Sequence, residues 1–134
     1  DEMNKAVKQA LRQDVSESFD GMDVSLCLIE TKLHDQFVIT FSGANRPIYY
    51  YQKGVNRIQS LKGNRKCIGS IIPDVDAEFV NNRIYLQPGD TLFLNSDGII
   101  DQNNEFKKKY TTARYHAALL SNINKPMSFV KIIR

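Results

Sequence analysis

The feature that most limits the possible folds is a series of short apolar segments separated by turn sequences between residues 24 and 60. The first, VSLCLIE, is a nearly continuous apolar run without a breaker and predicts a strand buried on both faces. The second, QFVITFSG, alternates its side chains as an ordinary strand does. Because strands so close in sequence pair as hairpins, we predict an antiparallel meander. The four predicted strands span residues 24–30, 36–43, 47–52 and 55–60.

Further elements lie on both sides of this series. Residues 61–76 have the composition of a long loop, with an apolar piece at 67–72 that we expect to enter the core. Pro88-Gly89-Asp90 predicts a tight turn between two more strands. Apolar residues at helical spacing predict a helix near each end. The order indicates an α+β fold, with helices flanking an antiparallel sheet or sandwich. These elements are strands 79–87 and 91–98 and helices 4–14 and 110–120.

Composition indicates one soluble domain, because 134 residues with 42% hydrophobic and 25% charged side chains can build a core. We expect no membrane insertion and no signal peptide, since no apolar run approaches the length of a span. Cys27 and Cys67 lack metal-site spacing, so we expect reduced, structural thiols in the cytoplasm.

Seven Lys and Arg residues follow Glu105, and the first three form the run 107–109. A solvated surface explains them better than nucleic-acid binding, which stays the minority interpretation.

The segment LFLNSDGIID carries a strand pattern directly into a carboxylate. If alternation continues through TLFLNSDG, Asp97 leaves the core on the face that it shares with Phe93 and Asn95. Gly98 would permit a positive φ or a close backbone approach beside it. Spacing alone leaves two interpretations open. Asp97 either accepts hydrogen bonds from turn amides or faces a ligand.

Four motifs in order resemble the SpoIIE-like branch of the PPM-type metal-dependent protein serine/threonine phosphatases. They are DGMDVSLCLIE, FSGANRPIYYY, KCIGS and IYLQPGDTLFLNSDGIIDQ, and the resemblance covers roughly Asn4 to Met127. It implies a PPM-like fold and two Mn²⁺ or Mg²⁺ ions, with Asp97 as a metal ligand. DGMD, GAN and PGD match recurring family features that we interpret as structural. Gly98 and Asp101 are expected to support the loop around the metal.

The resemblance also implies segments that do not match this chain. They are an upstream strand with an aspartate, an Asp-Gly-His-Gly type motif and a C-terminal strand ending in Asp-Asp. We therefore expect residues 1–134 to be a single, partial phosphatase domain that is inactive by itself. The parent would dephosphorylate serine or threonine of a protein partner, in the cytoplasm, downstream of a sensor domain. The alternative is a non-catalytic regulatory or protein-binding module. Open strand edges would favour a homodimer.

Other candidate residues have simpler explanations. His34 and His116 have no nucleophile motif beside them and are interpreted as surface or satisfied histidines. No serine lies in a GxSxG context, which argues against an esterase triad. The run Tyr49–Tyr51 cannot form one base-stacking platform, because consecutive strand residues point to opposite faces. We expect it to pack in the core and at its rim. Arg46 and Arg57 enter only as phosphate contacts of the nucleic-acid alternative.

Overall fold

The computed structural model describes residues 2–12, 20–69, 78–103 and 109–123. Within these ranges the chain forms two three-stranded antiparallel sheets and two α-helices, which confirms the α+β prediction. None of the described helices is long and apolar enough to cross a membrane. The elements are α1 (Glu2–Ala10), β1 (Val24–Thr31), a 3₁₀ turn (Leu33–Asp35), β2 (Phe37–Ala44), β3 (Ile48–Tyr51), β4 (Gln59–Leu61), β5 (Asn82–Leu86), β6 (Thr91–Phe93) and α2 (Thr112–Asn122).

The first sheet has the strand order β1-β2-β5. β1 and β2 form the predicted hairpin, with a register that runs from Val24 opposite Ala44 to Thr31 opposite Phe37. β2 also pairs with β5 and is therefore the central strand. Neighbouring residues of β2 point to opposite faces of the sheet, and both faces are buried, as shown by Val38, which is 6% exposed, and Ile39, which is 2% exposed.

The prediction that β1 is buried on both faces is wrong. β1 lies at the edge of the first sheet, and Leu26, Leu28 and Ile29 are all more than half exposed. β2, whose alternation suggested an ordinary strand, is the one with buried residues on both faces. An apolar run reports that a strand is hydrophobic but not whether it has neighbours on both sides. Strand order decides burial here.

The second sheet has the order β4-β3-β6, so the predicted continuous meander is wrong. β3 and β4 do form a hairpin, with Ile48 opposite Leu61, but β2 and β3 lie in different sheets. The physical reason lies between them. Asn45 takes a positive φ of 55°, and Pro47 has no N–H to donate to a ladder. β4 is also shorter than predicted, since it begins at Gln59.

The turn at Pro88-Gly89-Asp90 is confirmed. The Asp90 backbone N–H donates to the Gln87 carbonyl oxygen at 2.9 Å, and Gly89 has a φ of 94°. The Asp90 carboxylate accepts from the backbone N–H groups of Gln87 and Lys53, each at 2.8 Å. This turn therefore carries the chain from β5 in the first sheet to β6 in the second, and its aspartate fixes the turn to the end of β3.

Helix α2 and the second sheet form an aromatic core from Tyr49, Tyr51, Phe93, Tyr115 and Leu119. The Tyr49 and Tyr115 rings pack edge to face, with centroids 5.7 Å apart. The expected packing role of the tyrosine run is confirmed, because two of its members belong to this core.

His116 lies against the same core, since its ring centroid is 4.7 Å from that of Tyr49. Its Nε2 atom is buried and has no hydrogen-bond partner among the described residues. Burial lowers the pKa of His116, so the neutral ring is favoured. His116 therefore packs beside the aromatic core and is not a fully exposed surface histidine. The side chain of His34 lies outside the described part of the chain.

Helix α1 contacts the loop after β4. The Asn4 Oδ1 atom accepts a hydrogen bond from the Gly69 backbone N–H at 2.7 Å. Ile68 is 5% exposed and exchanges two backbone hydrogen bonds with Met22. The start of the apolar piece at 67–72 therefore enters the core as predicted, whereas residues 70–77 lie outside the described part.

The backbones of Gly43 and Gly63 pass in direct contact. The Asn64 N–H donates to the Gly43 carbonyl oxygen at 2.8 Å, and the Asn45 N–H donates to the Asn64 carbonyl oxygen at 2.7 Å. A Cβ atom on Gly43 would lie closer than 3.0 Å to the Arg46 carbonyl oxygen. The GAN motif therefore needs its glycine for a close approach, which agrees with its structural interpretation.

We predict that Gly43→Ala lowers the free energy of unfolding by about 1–3 kcal/mol, because the added methyl group overlaps backbone atoms that cannot rotate away. Gly98→Ala is the matched control. Its Cβ would meet only Ser96 Oγ at 3.5 Å, so a change within about 0.5 kcal/mol is expected. Urea unfolding followed by circular dichroism measures both, and equal losses would contradict the close-approach argument.

The outer edge of β1 is where we expect self-association, because β1 is eight residues long and no described strand pairs with that edge. β1 contains no proline or lysine, and Leu28 is 60% exposed. We predict a dimer in sedimentation equilibrium that Leu28→Lys weakens. Leu33→Lys, in the exposed 3₁₀ turn outside the strand, should leave the dimer intact. A monomeric wild type, or equal effects of both variants, would contradict this.

Candidate functional site

Asp97 lies in a turn and not at the end of a strand. β6 ends at Phe93, and the backbone from Asp97 onward forms a turn in which the Asp101 N–H donates to the Asp97 carbonyl oxygen at 2.9 Å. The alternation that we extended to Asp97 therefore stops four residues earlier. The reason is that β6 pairs with β3 only as far as Phe93, so nothing holds the following residues in an extended ladder.

The Asp97 carboxylate is bound by Arg46. Arg46 Nη2 donates to Asp97 Oδ2 at 2.6 Å, although 51 positions separate the two residues in the sequence. This contact is the main reason that the pKa of Asp97 is held below its usual range, with smaller contributions from backbone amides. The lowered pKa favours the ionised carboxylate of Asp97, and the side chain, which is 56% exposed, is open to solvent.

The same arginine nitrogen reaches a second carboxylate. Arg46 Nη2 lies 3.2 Å from Asp23 Oδ2, at the start of β1. Asp23 also accepts hydrogen bonds from Asn45 Nδ2, at 3.1 and 3.3 Å, and from the Cys67 thiol, at 2.9 Å. Asp23 is 23% exposed and has partners from two other segments. We call these five residues, Asp23, Asn45, Arg46, Cys67 and Asp97, the Arg46 cluster.

The cluster unites motifs that the sequence analysis treated separately. Asp23 ends DGMD, Asn45 ends GAN, Cys67 lies in KCIGS, and Asp97 belongs to SDG. Both cysteines are free and half-buried. Arg46 was missed as a site residue, because it was considered only as a phosphate contact of a nucleic-acid binder. The only sequence signal was its position directly after GAN, and nothing in that position identifies its carboxylate partners.

The other predicted site residues, Gly98 and Asp101, lie in the same turn as Asp97, but neither holds its carboxylate with a side chain as Arg46 does. Asp101 closes the turn through its backbone, and its carboxylate pairs with Lys109 Nζ at 2.9 Å. Gly98 has no positive φ, and a Cβ there would make only an ordinary contact. The two reasons proposed for a glycine at this position therefore do not apply. Lys107 and Lys108 lie outside the described part.

The described residues by themselves do not fit a metal centre. They contain no group of three or more His, Cys, Asp or Glu side chains that could hold an ion. Mn²⁺ and Mg²⁺ prefer several oxygen ligands, whereas Asp97 Oδ2 is already bound to a guanidinium. What the cluster can do as it stands is to hold the carboxylates of Asp23 and Asp97 around one guanidinium.

Comparison with known protein families identifies a matching family model. The family model described as Stage II sporulation protein E (SpoIIE) matches residues 1–133. No curated protein and no solved structure matches the chain significantly. The matched range contains every member of the Arg46 cluster and all four motifs on which the resemblance rests.

The contact between Cys67 and Asp23 predicts a change in thiol reactivity. The hydrogen bond to Asp23, with burial, raises the pKa of Cys67 and so disfavours the reactive thiolate. Asp23→Asn removes the negative charge, and we expect faster alkylation of Cys67 by iodoacetamide at mildly alkaline pH. Cys27 is the internal control, because burial alone raises its pKa. Peptide mass spectrometry measures both rates, and an unchanged ratio would contradict the assignment.

Proposed function

The chain belongs to the SpoIIE family, and on this premise we propose that it is part of a metal-dependent protein serine/threonine phosphatase of the PPM type. The observation that carries the proposal is the family match over residues 1–133, which includes an ionised, exposed Asp97 in the SDG turn. An ionised and accessible carboxylate is what a hard divalent cation requires of a ligand.

The proposed role of Asp97 is to contribute one metal ligand. Mn²⁺ or Mg²⁺, as two ions in the intact domain, would need further carboxylates from the segments that the resemblance places upstream and downstream. We assign no catalytic step to the described residues, because they do not assemble a metal site. Asp101 keeps its proposed role of supporting the turn, whereas Gly98 takes part only through its backbone N–H, which donates to the Asp97 carboxylate.

The proposed substrate is a phosphorylated serine or threonine in a protein partner, with the phosphatase acting in the cytoplasm as the output of a sensor domain. Support for this part of the proposal comes from the family resemblance. Nucleic acid is not part of the proposal, and the described lysine of the basic run, Lys109, pairs with Asp101 at 2.9 Å.

A non-catalytic regulatory or protein-binding module is the second candidate. The observation in its favour is that Arg46 occupies the carboxylate that a metal would need. A phosphatase-like domain in which Asp97 stayed paired with Arg46 would keep the fold but have no phosphatase activity. This candidate predicts no turnover in any polypeptide that contains the chain.

We predict Mn²⁺-dependent hydrolysis of p-nitrophenyl phosphate by a polypeptide extended to include the implied upstream and downstream carboxylate segments. Asp97→Ala should abolish the activity, because uncatalysed phosphomonoester hydrolysis is extremely slow and a lost ligand disrupts the metal site. Residues 1–134 alone should show no turnover.

Asp35→Asn is the matched control for this prediction. Asp35 is an exposed aspartate in the turn after β1, separated from Asp23 by the whole eight-residue strand. Asparagine suits its positive φ of 56°, so the fold should be retained. Full activity of Asp97→Ala would overturn the role of Asp97. A complete lack of activity in the extended polypeptide would favour the second candidate.

A further inference from the structure

Arg46 holds two carboxylates that come from distant parts of the chain. One nitrogen, Nη2, lies 3.2 Å from Asp23 Oδ2 and 2.6 Å from Asp97 Oδ2. One guanidinium therefore lies where two acidic side chains converge, and its positive charge offsets part of their negative charge.

The two partners of Arg46 differ in how firmly they are held. Asp23 is 23% exposed and is also bound by Asn45 and Cys67, so this end of the pair is fixed. Asp97 is 56% exposed and lies in a turn. Exposed ion pairs contribute little to stability. Exchanging the cation at Asp97 therefore costs the fold little, and the guanidinium keeps Asp23 as a partner when Asp97 leaves.

We propose that Arg46 is an internal cation that competes with a divalent metal ion for Asp97, so that Asp97 can bind metal only when the guanidinium releases it. A metal ion on Oδ2 would lie next to a guanidinium that donates to the same oxygen, and two cations so close repel each other. The statement that the competing ion is a divalent metal rests on the proposed function. The statement that Asp97 already has a cationic partner rests on the observed Arg46–Asp97 pair.

Direct Mn²⁺ binding to the 134-residue chain tests the proposal, with free Mn²⁺ measured by electron paramagnetic resonance and heats by calorimetry. Wild type should bind weakly, and Arg46→Met should bind about tenfold more tightly or better, because the competing charge is gone. Arg46→Lys, which keeps a positive charge, should stay close to wild type. Adding Asp97→Asn to Arg46→Met should remove the gain.

Arg57→Met is the control for a general effect of net charge. Arg57 is exposed in the segment between β3 and β4, and its loss changes the total charge equally. The proposal is overturned if Arg46→Met and Arg57→Met raise Mn²⁺ affinity equally, if neither does, or if the gain survives Asp97→Asn. Circular dichroism checks folding, and Arg46→Gln, which can still donate to Asp23, replaces Arg46→Met if that variant unfolds.

The Mn²⁺-binding test of the competition and the hydrolysis test of the proposed function can fail independently of each other. A gain of Mn²⁺ affinity in Arg46→Met without hydrolysis by the extended polypeptide would support the competition and overturn the phosphatase. Hydrolysis that depends on Asp97, together with unchanged Mn²⁺ affinity in Arg46→Met, would overturn the competition alone.

Discussion

The contact between the backbones of Gly43 and Gly63 fixes the geometry on which the rest of the site depends. It lies where the chain leaves the first sheet for the second, and hydrogen bonds through Asn64 close it on both sides. A side chain on either glycine would separate the segments. Asn45 and Arg46 follow directly, so this approach decides where the amide and the guanidinium point. The contact between these two glycine backbones thus helps to position the Arg46 cluster.

The charges are arranged in order of burial. Asp23 is held by the Asn45 amide, the Cys67 thiol and Arg46, while Asp97 meets the same guanidinium from the solvent side. The inner contacts hold Asp23 in place, and the outer contact is the one at which we propose an exchange of cations. In the described part of the chain, the carboxylate that the family resemblance singles out is engaged by a cation of the chain itself, and no group of three potential metal ligands is assembled there.

Much of the local structure follows from sequence patterns. The β1–β2 hairpin, the turn at Pro88-Gly89-Asp90 and helix α2 all form where alternation, turn residues and helical spacing predict them. The errors concern relations between elements. β1 was expected to be the buried strand, but β2 has a neighbour on each side and β1 does not. β6 was extended to Asp97, although its ladder partner β3 supports it only to Phe93. Strand order and ladder length depend on pairing partners, and a single segment does not encode its partner.

The sequence by itself determined the α+β composition, the alternating burial of the tyrosine run and the SDG motif that singles out Asp97, because each depends on residues that are near neighbours in the chain. Only the tertiary structure decided that Arg46 binds Asp97 and Asp23 together. That contact joins residues 51 positions apart, and no periodicity or spacing specifies it. It forms only when the two sheets and the turn after β6 are assembled, with Gly43 and Gly63 in close approach next to Arg46.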